Sequence, residues 1–197
     1  MSTCLVSAFY SETTIRVYQA YSPVIAKPAL AAGRFVAPFK MERMTWIKPS
    51  FNWMMYRCGY ASKSGQEMVL AIDISREGFD WALRHAVLSR YQPGVHGSYE
   101  AWKQELDAKP VRIQWDPERD WRLQPIAGVR AIQIGLSGEA VKRYVHEWIV
   151  GIEDVTPDAH AIGAAARRNT PPPGLPSEGE RPYPVDAELA AAICAHY

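Results

Sequence analysis

The chain has 197 residues, which is enough for one well-buried domain and marginal for two. Its 22 Lys and Arg nearly balance its 21 Asp and Glu, so any site for a polyanion must rest on a local patch rather than on an overall field. No apolar run approaches the roughly 20 residues that span a bilayer, and the three cysteines lack the spacing of a zinc site or disulfide framework. The start also lacks the basic region of a secretory signal, and we therefore expect a soluble cytoplasmic protein.

The first elements are predicted as a strand and a helix. Residues 14–21 alternate apolar and polar side chains and are rich in β-formers, which predicts a strand. A helix follows, with Ser22 as its N-cap, Pro23 at its first position and Gly33 as its C-cap. Pro28 lies inside this helix and is expected to kink or split it.

A second strand–helix pair follows. Residues 43–49 predict a strand, Ser50 caps a helix and Gly59 ends it. The near-continuous apolar run of residues 68–74 is typical of a strand that is covered on both faces.

The middle of the chain predicts helices over residues 78–91 and 98–106. A strand over residues 111–115 and a turn over residues 116–120 follow.

The next segment predicts a strand over residues 129–136, a helix over residues 137–144 and a last strand over residues 148–155. This order of elements predicts an α+β domain with a split, mostly antiparallel β-sheet core that is flanked by helices.

The composition changes near the C-terminus. Residues 159–166 predict a short helix, whereas residues 170–182 are rich in Pro and Gly and predict an extended or disordered linker. A small Ala-rich helix is expected over residues 186–195. We therefore divide the chain into an α+β catalytic-type domain, residues 1–160, and a Pro/Gly-rich linker with a short helix, residues 161–197.

Standard catalytic signatures are absent from the sequence, including the Rossmann glycine motif, the P-loop, the hydrolase nucleophile elbow and the His-Glu-x-x-His zinc motif. Residues 44–59 instead combine two Trp, a Phe, a Tyr and three Met with one Lys and one Arg. Aromatic rings stack on planar ligands and cations bind phosphates, so this mixture favours a nucleotide-like ligand. The alternative is an aromatic-rich core element whose cations extend to water.

Polar residues at strand ends and on the helix that Ser50 caps complete the candidate site. Each could also be a plain surface or capping residue. The candidates are Arg16, Tyr18, Gln19, Trp46, Lys48, Ser50, Tyr56, Arg57 and Glu147.

Residues 15–22 and 43–57 closely resemble the domain of unknown function 4291 family. Further matching segments lie at residues 69–74, 111–120 and 132–138. The resemblance covers about residues 12–157 and brings no known activity with it.

The layout is also similar to the ADP-ribosyltransferase fold, a split antiparallel β-sandwich that binds NAD in a cleft. Tyr18-Gln19 resembles that fold's early strand, Lys48-Pro-Ser50 its strand-to-helix corner, and Glu147 the catalytic carboxylate at the start of a late strand. Gln19 stands where the fold usually has His or Arg, and Val145 stands where many members have Gln or Glu. The resemblance implies that Glu147 stabilises positive charge on the ribose while the remaining candidates contact NAD, without a metal.

Three hypotheses follow. The first is an ADP-ribosyltransferase-like enzyme that uses NAD as a substrate and transfers ADP-ribose to an unknown acceptor, such as a nucleic acid or a protein. The second is a non-catalytic protein that binds a nucleotide or single-stranded nucleic acid by aromatic stacking. The third is a protein-interaction module without a small-molecule site.

Overall fold

The computed structural model describes residues 3–172 and 174–195, which form ten strands and seven helices. The strands are β1 Thr3–Cys4, β2 Ser7–Ala8, β3 Thr14–Tyr21, β4 Thr45–Ile47, β5 Met68–Ser75, β6 Ala86–Leu88, β7 Val111–Arg119, β8 Pro125–Leu136, β9 Ile149–Asp154 and β10 Arg181–Pro182. The helices are α1 Pro23–Ala32, α2 Phe51–Cys58, α3 Arg76–Arg84, α4 Tyr99–Ala108, α5 Glu139–Arg143, α6 Thr156–Arg168 and α7 Ala187–Ala192. A π-helical turn, Tyr144–Trp148, follows α5, and a 3₁₀ turn, Pro176–Gly179, precedes β10.

The smaller main sheet has the strand order β3-β5-β9 and is antiparallel throughout. Along β5, Leu70 and Ile72 enter one hydrophobic core while Val69 and Ala71 enter a second core on the opposite face. The prediction that this strand is covered on both faces is therefore confirmed, and its continuous apolar sequence has a direct structural cause.

The larger sheet has five strands, in the order β1-β8-β7-β6 with β4 also paired to β8. The β7–β8 and β4–β8 pairs are antiparallel, whereas β1 pairs with β8 and β6 with β7 in parallel. The prediction of one domain that combines helices with β-sheets is thus confirmed. The larger sheet differs from the expected antiparallel arrangement because two short strands join it in parallel.

The two sheets meet at Tyr18 and Lys48. The Tyr18 backbone N–H donates to the Lys48 carbonyl at 2.8 Å, and the Lys48 N–H donates to the Tyr18 carbonyl at 3.3 Å. This isolated antiparallel bridge fixes the end of β4 against the middle of β3, so it sets the position of the corner that leads into α2.

The larger hydrophobic core lies between the two sheets and under α1 and α3, and the smaller core lies beneath α2 and α6. Phe79 and Ile134 are fully buried in the first core, and Phe51 and Met55 in the second. The sheet β3-β5-β9 contributes side chains to both cores, so it is the central layer between them.

In the middle of the chain, two predicted elements differ from the structure. The helix predicted over residues 78–91 ends at Arg84, because the buried residues Val87 and Leu88 pair with β7 as β6. The turn predicted over residues 116–120 is instead the end of β7, with an irregularity of register after Pro117. A short apolar run fits either helix or strand, and strand pairing decides between them.

The C-terminal segment, expected as an extended or disordered linker, packs against the rest of the domain. Tyr183 is fully buried in the larger core, and Leu189 and Ile193 join it there. The Trp115 indole N–H donates to the Ile193 carbonyl at 2.7 Å. A Pro- and Gly-rich composition does not indicate where a single buried Tyr will pack, and for this reason composition alone missed the contact. Within the described residues no helix is long and apolar enough to cross a bilayer.

Candidate functional site

Two adjoining cavities of about 200 and 310 Å³ lie where the two sheets meet, and they share Tyr21, Met44 and Thr45 in their walls. We call this space the junction groove. It is bordered by the end of β3, the loop between α1 and β4, β4 itself and the outer face of α2.

Four cationic side chains line the junction groove, and no Asp or Glu of the described residues does so. These cations are Lys40, Arg43, Lys48 and Arg57. None of the four forms an ion pair with a described carboxylate. The groove is therefore locally cationic in a chain whose formal net charge is only +1.

Lys48 is the buried member of this set, with 7% of its surface exposed. Its Nζ donates to the Trp46 carbonyl at 3.2 Å. Burial, and then the charge of Arg57, lower the pKa of Lys48 to about 7. A cation that is kept out of water without an anionic partner is costly, so the pocket favours either an anionic ligand or an uncharged amine.

Asp116 on β7, whose charge acts on the Lys48 pKa, has hydrogen-bond partners other than Lys48. Asp116 accepts hydrogen bonds from Gln114 Nε2 at 3.0 and 3.1 Å and from Gln133 Nε2 at 2.5 Å. Its charge opposes the lowering of the Lys48 pKa, but the effect ranks below those of burial and Arg57. Asp116 is thus hydrogen bonded to two amide side chains rather than to the Lys48 ammonium.

Arg57 reaches the groove because α2 is fixed at both ends. The Ser50 hydroxyl accepts from Trp53 N–H at its start, and Gly59 adopts a left-handed backbone at its end. Met54 and Arg57, three residues apart, both line the groove. The corner between β4 and α2 thus places the buried Lys48 and the exposed Arg57 beside the same cavity.

A polar network closes the inner wall of the groove. Gln19 Nε2 donates to Thr45 Oγ1 at 2.6 Å, and the Tyr144 hydroxyl donates to Gln19 Oε1 at 2.7 Å. The hydroxyls of Tyr21 and Thr45 are also hydrogen bonded, at 2.7 Å. Each member of this network has a hydrogen-bond partner within the wall, and such fully paired networks rigidify their surroundings. Burial raises the pKa of Tyr21 to about 12, so this phenol stays neutral.

Three aromatic rings line the groove, those of Tyr21, Phe39 and Trp46. The Trp46 ring lies against Gly135 of β8, where an added Cβ would come within 3.0 Å of it. Glycine at this position therefore allows the indole to lie close to the sheet while the ring still borders the groove.

A second polar cluster, missed by the sequence analysis, surrounds the start of α2. The Ser50 hydroxyl donates to Glu118 Oε1 at 2.9 Å, and Glu180 Oε1 accepts from the Phe51 N–H at 2.7 Å. Burial raises the pKa of both carboxyls, and for Glu180 the nearby Glu118 raises it further. The sequence predicts a turn at Glu118 and a linker at Glu180, and neither prediction indicates a site. The alternation of β7, continued past Pro117, is the signal that places Glu118 on the strand.

The structure brings some predicted site residues together and separates others. Gln19, Trp46, Lys48 and Arg57 line the junction groove. The remaining four of the predicted NAD-contacting residues have other partners. Arg16 forms an ion pair with Asp73 at 2.9 Å, and Tyr18 packs edge-on against Phe51. Ser50 is hydrogen bonded to Glu118, and Tyr56 stacks on Trp53 beneath Arg119.

Glu147, the predicted catalytic carboxylate, lies on the π-helical turn. Its side chain is 58% exposed, and Oε2 is 3.5 Å from Arg143 Nη1. It lines neither cavity of the groove. Sequence order placed Glu147 correctly just before β9, but it could not show on which side of the turn the carboxylate would emerge.

Comparison with known proteins identifies the family. The family model described as Domain of unknown function (DUF4291) matches residues 5–179, and the chain therefore belongs to this family. No curated protein matches the chain. The match extends past β9 into the C-terminal segment, beyond the range that the sequence resemblance covered.

Proposed function

We propose that this member of the DUF4291 family binds a nucleotide-class ligand in the junction groove. The observation that carries the proposal is that four cations and three aromatic rings line a groove without a described carboxylate. Phosphate oxygens would accept hydrogen bonds from Lys48 and Arg57, and a base would lie against an aromatic ring.

Lys48 gives the groove an energetic preference for an anion. Its ammonium form is destabilised by burial and by Arg57, and an anion between the two cations would offset both effects. Attraction between such an anion and the two cations would therefore favour binding and would raise the pKa of Lys48 again. The rigid network around Gln19 supports the same proposal, because the wall need not be ordered upon binding.

A compact nucleotide suits the groove better than a long nucleic acid. The formal net charge is +1, and the cations that line the groove are confined to one corner of the fold. Proteins that follow a nucleic-acid backbone present extended basic surfaces instead.

ADP-ribosyl transfer from NAD is a second proposal. It is supported by two sheets that meet beside a cationic groove at Tyr18 and Lys48, an arrangement that a split sandwich would have. NAD would be the substrate, and a protein or nucleic acid the acceptor. The proposed role of Glu147 rests on the sequence resemblance alone, since this carboxylate lies outside the groove.

Isothermal titration calorimetry with AMP, ADP, NAD and inorganic phosphate tests the binding proposal. Lys48→Met and Arg57→Gln should each weaken AMP binding at least about tenfold, since a hydrogen bond to a charged group contributes roughly 1.5–3 kcal/mol. Lys27→Gln and Arg168→Gln are matched controls, because both residues are exposed and lie outside the groove. Equal affinities in all four variants would refute the proposal.

Nicotinamide release from NAD tests the second proposal separately. A Glu147→Gln variant that binds NAD normally but no longer releases nicotinamide would support the transferase. Binding without any turnover of NAD by the wild-type protein would leave nucleotide binding alone.

A further inference from the structure

We propose that Lys48 is a nucleophilic amine that forms an imine with a phosphorylated aldehyde held in the junction groove. The inference rests on the anion-binding part of the proposed function, and it adds a covalent activity to it.

The surroundings of Nζ suit a nucleophile. Lys48 borders the smaller cavity, and its hydrogen bond to the Trp46 carbonyl uses one N–H. An uncharged amine in this position keeps its lone pair free, because the Trp46 carbonyl oxygen accepts a hydrogen bond from an amine N–H and has none to donate to the lone pair. The Asp116 carboxylate, whose charge favours the ammonium form, accepts hydrogen bonds from Gln114 and Gln133 instead of from Lys48.

The charges around Lys48 favour the unprotonated form. Arg57 on α2 disfavours the ammonium, as does burial, while the nearby Cys58 and Asp116 act weakly in the opposite direction. With a pKa of about 7, a large share of Lys48 is uncharged at neutral pH. An ordinary lysine has roughly one amine in a thousand uncharged under the same conditions.

A phosphorylated ligand follows from the other lining residues. Arg57 lines the same cavity, so its guanidinium can hold a phosphate while Lys48 faces the carbonyl. The smaller cavity, of about 200 Å³, can hold a small phosphorylated molecule. Aromatic rings beside it favour a planar or partly apolar ligand body.

The proposed reaction balances without an additional reagent. The Nζ lone pair forms a bond to the aldehyde carbon, and the carbonyl oxygen takes up a proton from the amine. Transfer of the second amine proton to that oxygen releases one water molecule and leaves a C=N bond between ligand and Lys48.

Reductive trapping tests this proposal on the full-length protein. The protein is incubated with pyridoxal 5′-phosphate, reduced with borohydride, digested and mapped by mass spectrometry. Lys48 should be modified at least about tenfold faster than the exposed Lys27, with a rate that rises through pH 7, because only the uncharged amine reacts. A Lys48→Met variant, which adds no charge to this buried position, should lose this modification and keep a normal melting temperature.

Pyridoxal, which lacks the phosphate, isolates the role of Arg57. Arg57→Gln should slow the modification of Lys48 by pyridoxal 5′-phosphate more than that by pyridoxal, because loss of the Arg57 charge raises the pKa of Lys48 for both reagents but removes a phosphate contact from only one. Equal slowing of both reagents, or no slowing of either, would overturn the phosphate assignment.

The outcome is independent of whether a nucleotide binds. Modification of Lys48 at the rate of Lys27 would overturn the proposal even if AMP binds tightly. Rapid modification that AMP does not prevent would support the nucleophile while it counts against the nucleotide site.

Discussion

The Ser50 hydroxyl donates to Glu118 Oε1 at 2.9 Å while it accepts from the Trp53 N–H at 3.1 Å. One side chain therefore caps α2 and also ties that helix to β7. Because α2 carries Arg57 into the junction groove, the contact between Ser50 and Glu118 positions half of the proposed anion site from outside it.

Replacement of Ser50 by Ala should destabilise the protein beyond the cost of a lost cap. Loss of an N-cap costs about 1 kcal/mol, and the lost hydrogen bond to the partly buried Glu118 should add about 1 kcal/mol more. Ser98→Ala is the matched control, since Ser98 caps α4 by accepting from the Ala101 N–H at 3.1 Å. Urea unfolding measures both variants, and equal losses would show that the bond between Ser50 and Glu118 contributes nothing.

Glu180→Gln should stabilise the protein at pH 7.5. Burial and the neighbouring Glu118 raise the pKa of Glu180 well above 4.5, so the folded state binds a proton more tightly than the unfolded state. Its contribution is therefore fully favourable below the ordinary pKa and is lost as the pH rises through the raised one. A Gln oxygen can still accept from the Phe51 N–H.

The advantage of Glu180→Gln should shrink as the pH falls toward 4.5, because wild-type Glu180 is then neutral as well. Free energies of unfolding at pH 4.5, 6 and 7.5 give the trend. Glu178→Gln, in the exposed part of the same turn, is the control. An advantage that grows toward low pH would contradict the assigned direction.

Glu147→Gln should change the free energy of unfolding by less than about 0.5 kcal/mol, as exposed ion pairs contribute little. The only described ion pair of Glu147 is with Arg143, at 3.5 Å. AMP affinity should also be unchanged, since the carboxylate lies outside the groove. A clear loss of affinity would mean that the π-helical turn contributes to the site after all.

Local sequence patterns predict the strands and the helix that border the groove, but only some of the side chains that line it. The alternation of β3 and the Ser50 and Gly59 signals on α2 are local, so they were recognised without tertiary information. The position of Glu147 depends on a π-helical turn, and that of Glu180 on packing of the C-terminal segment against α2. Contacts between residues more than a hundred positions apart leave no periodic trace in the sequence.

Gly78→Ala should cost about 2 kcal/mol of stability through overpacking. A Cβ at this position would lie 2.3 Å from Cγ of Trp148, a nearly buried ring that packs on α3. Gly94→Ala is the control, because a Cβ there meets no atom within 4 Å and the backbone is not left-handed. Thermal unfolding of the two variants gives the comparison, and a tolerated Gly78→Ala would mean that the Trp148 ring can move aside.

Tyr183→Ala should destabilise the whole domain by about 3 kcal/mol, because it removes a fully buried ring from the larger core. Tyr183→Phe should cost less, about 1 kcal/mol, since only the hydroxyl that donates to Asp80 at 2.7 Å and accepts from Arg76 at 3.2 Å is lost. Tyr99→Ala, at a site that is 54% exposed, is the control for loss of a tyrosine that is not buried.

A single unfolding transition whose midpoint is lowered by Tyr183→Ala would show that the C-terminal segment folds with the domain. If Tyr183→Ala matched Tyr99→Ala, that segment would instead be an independent tail.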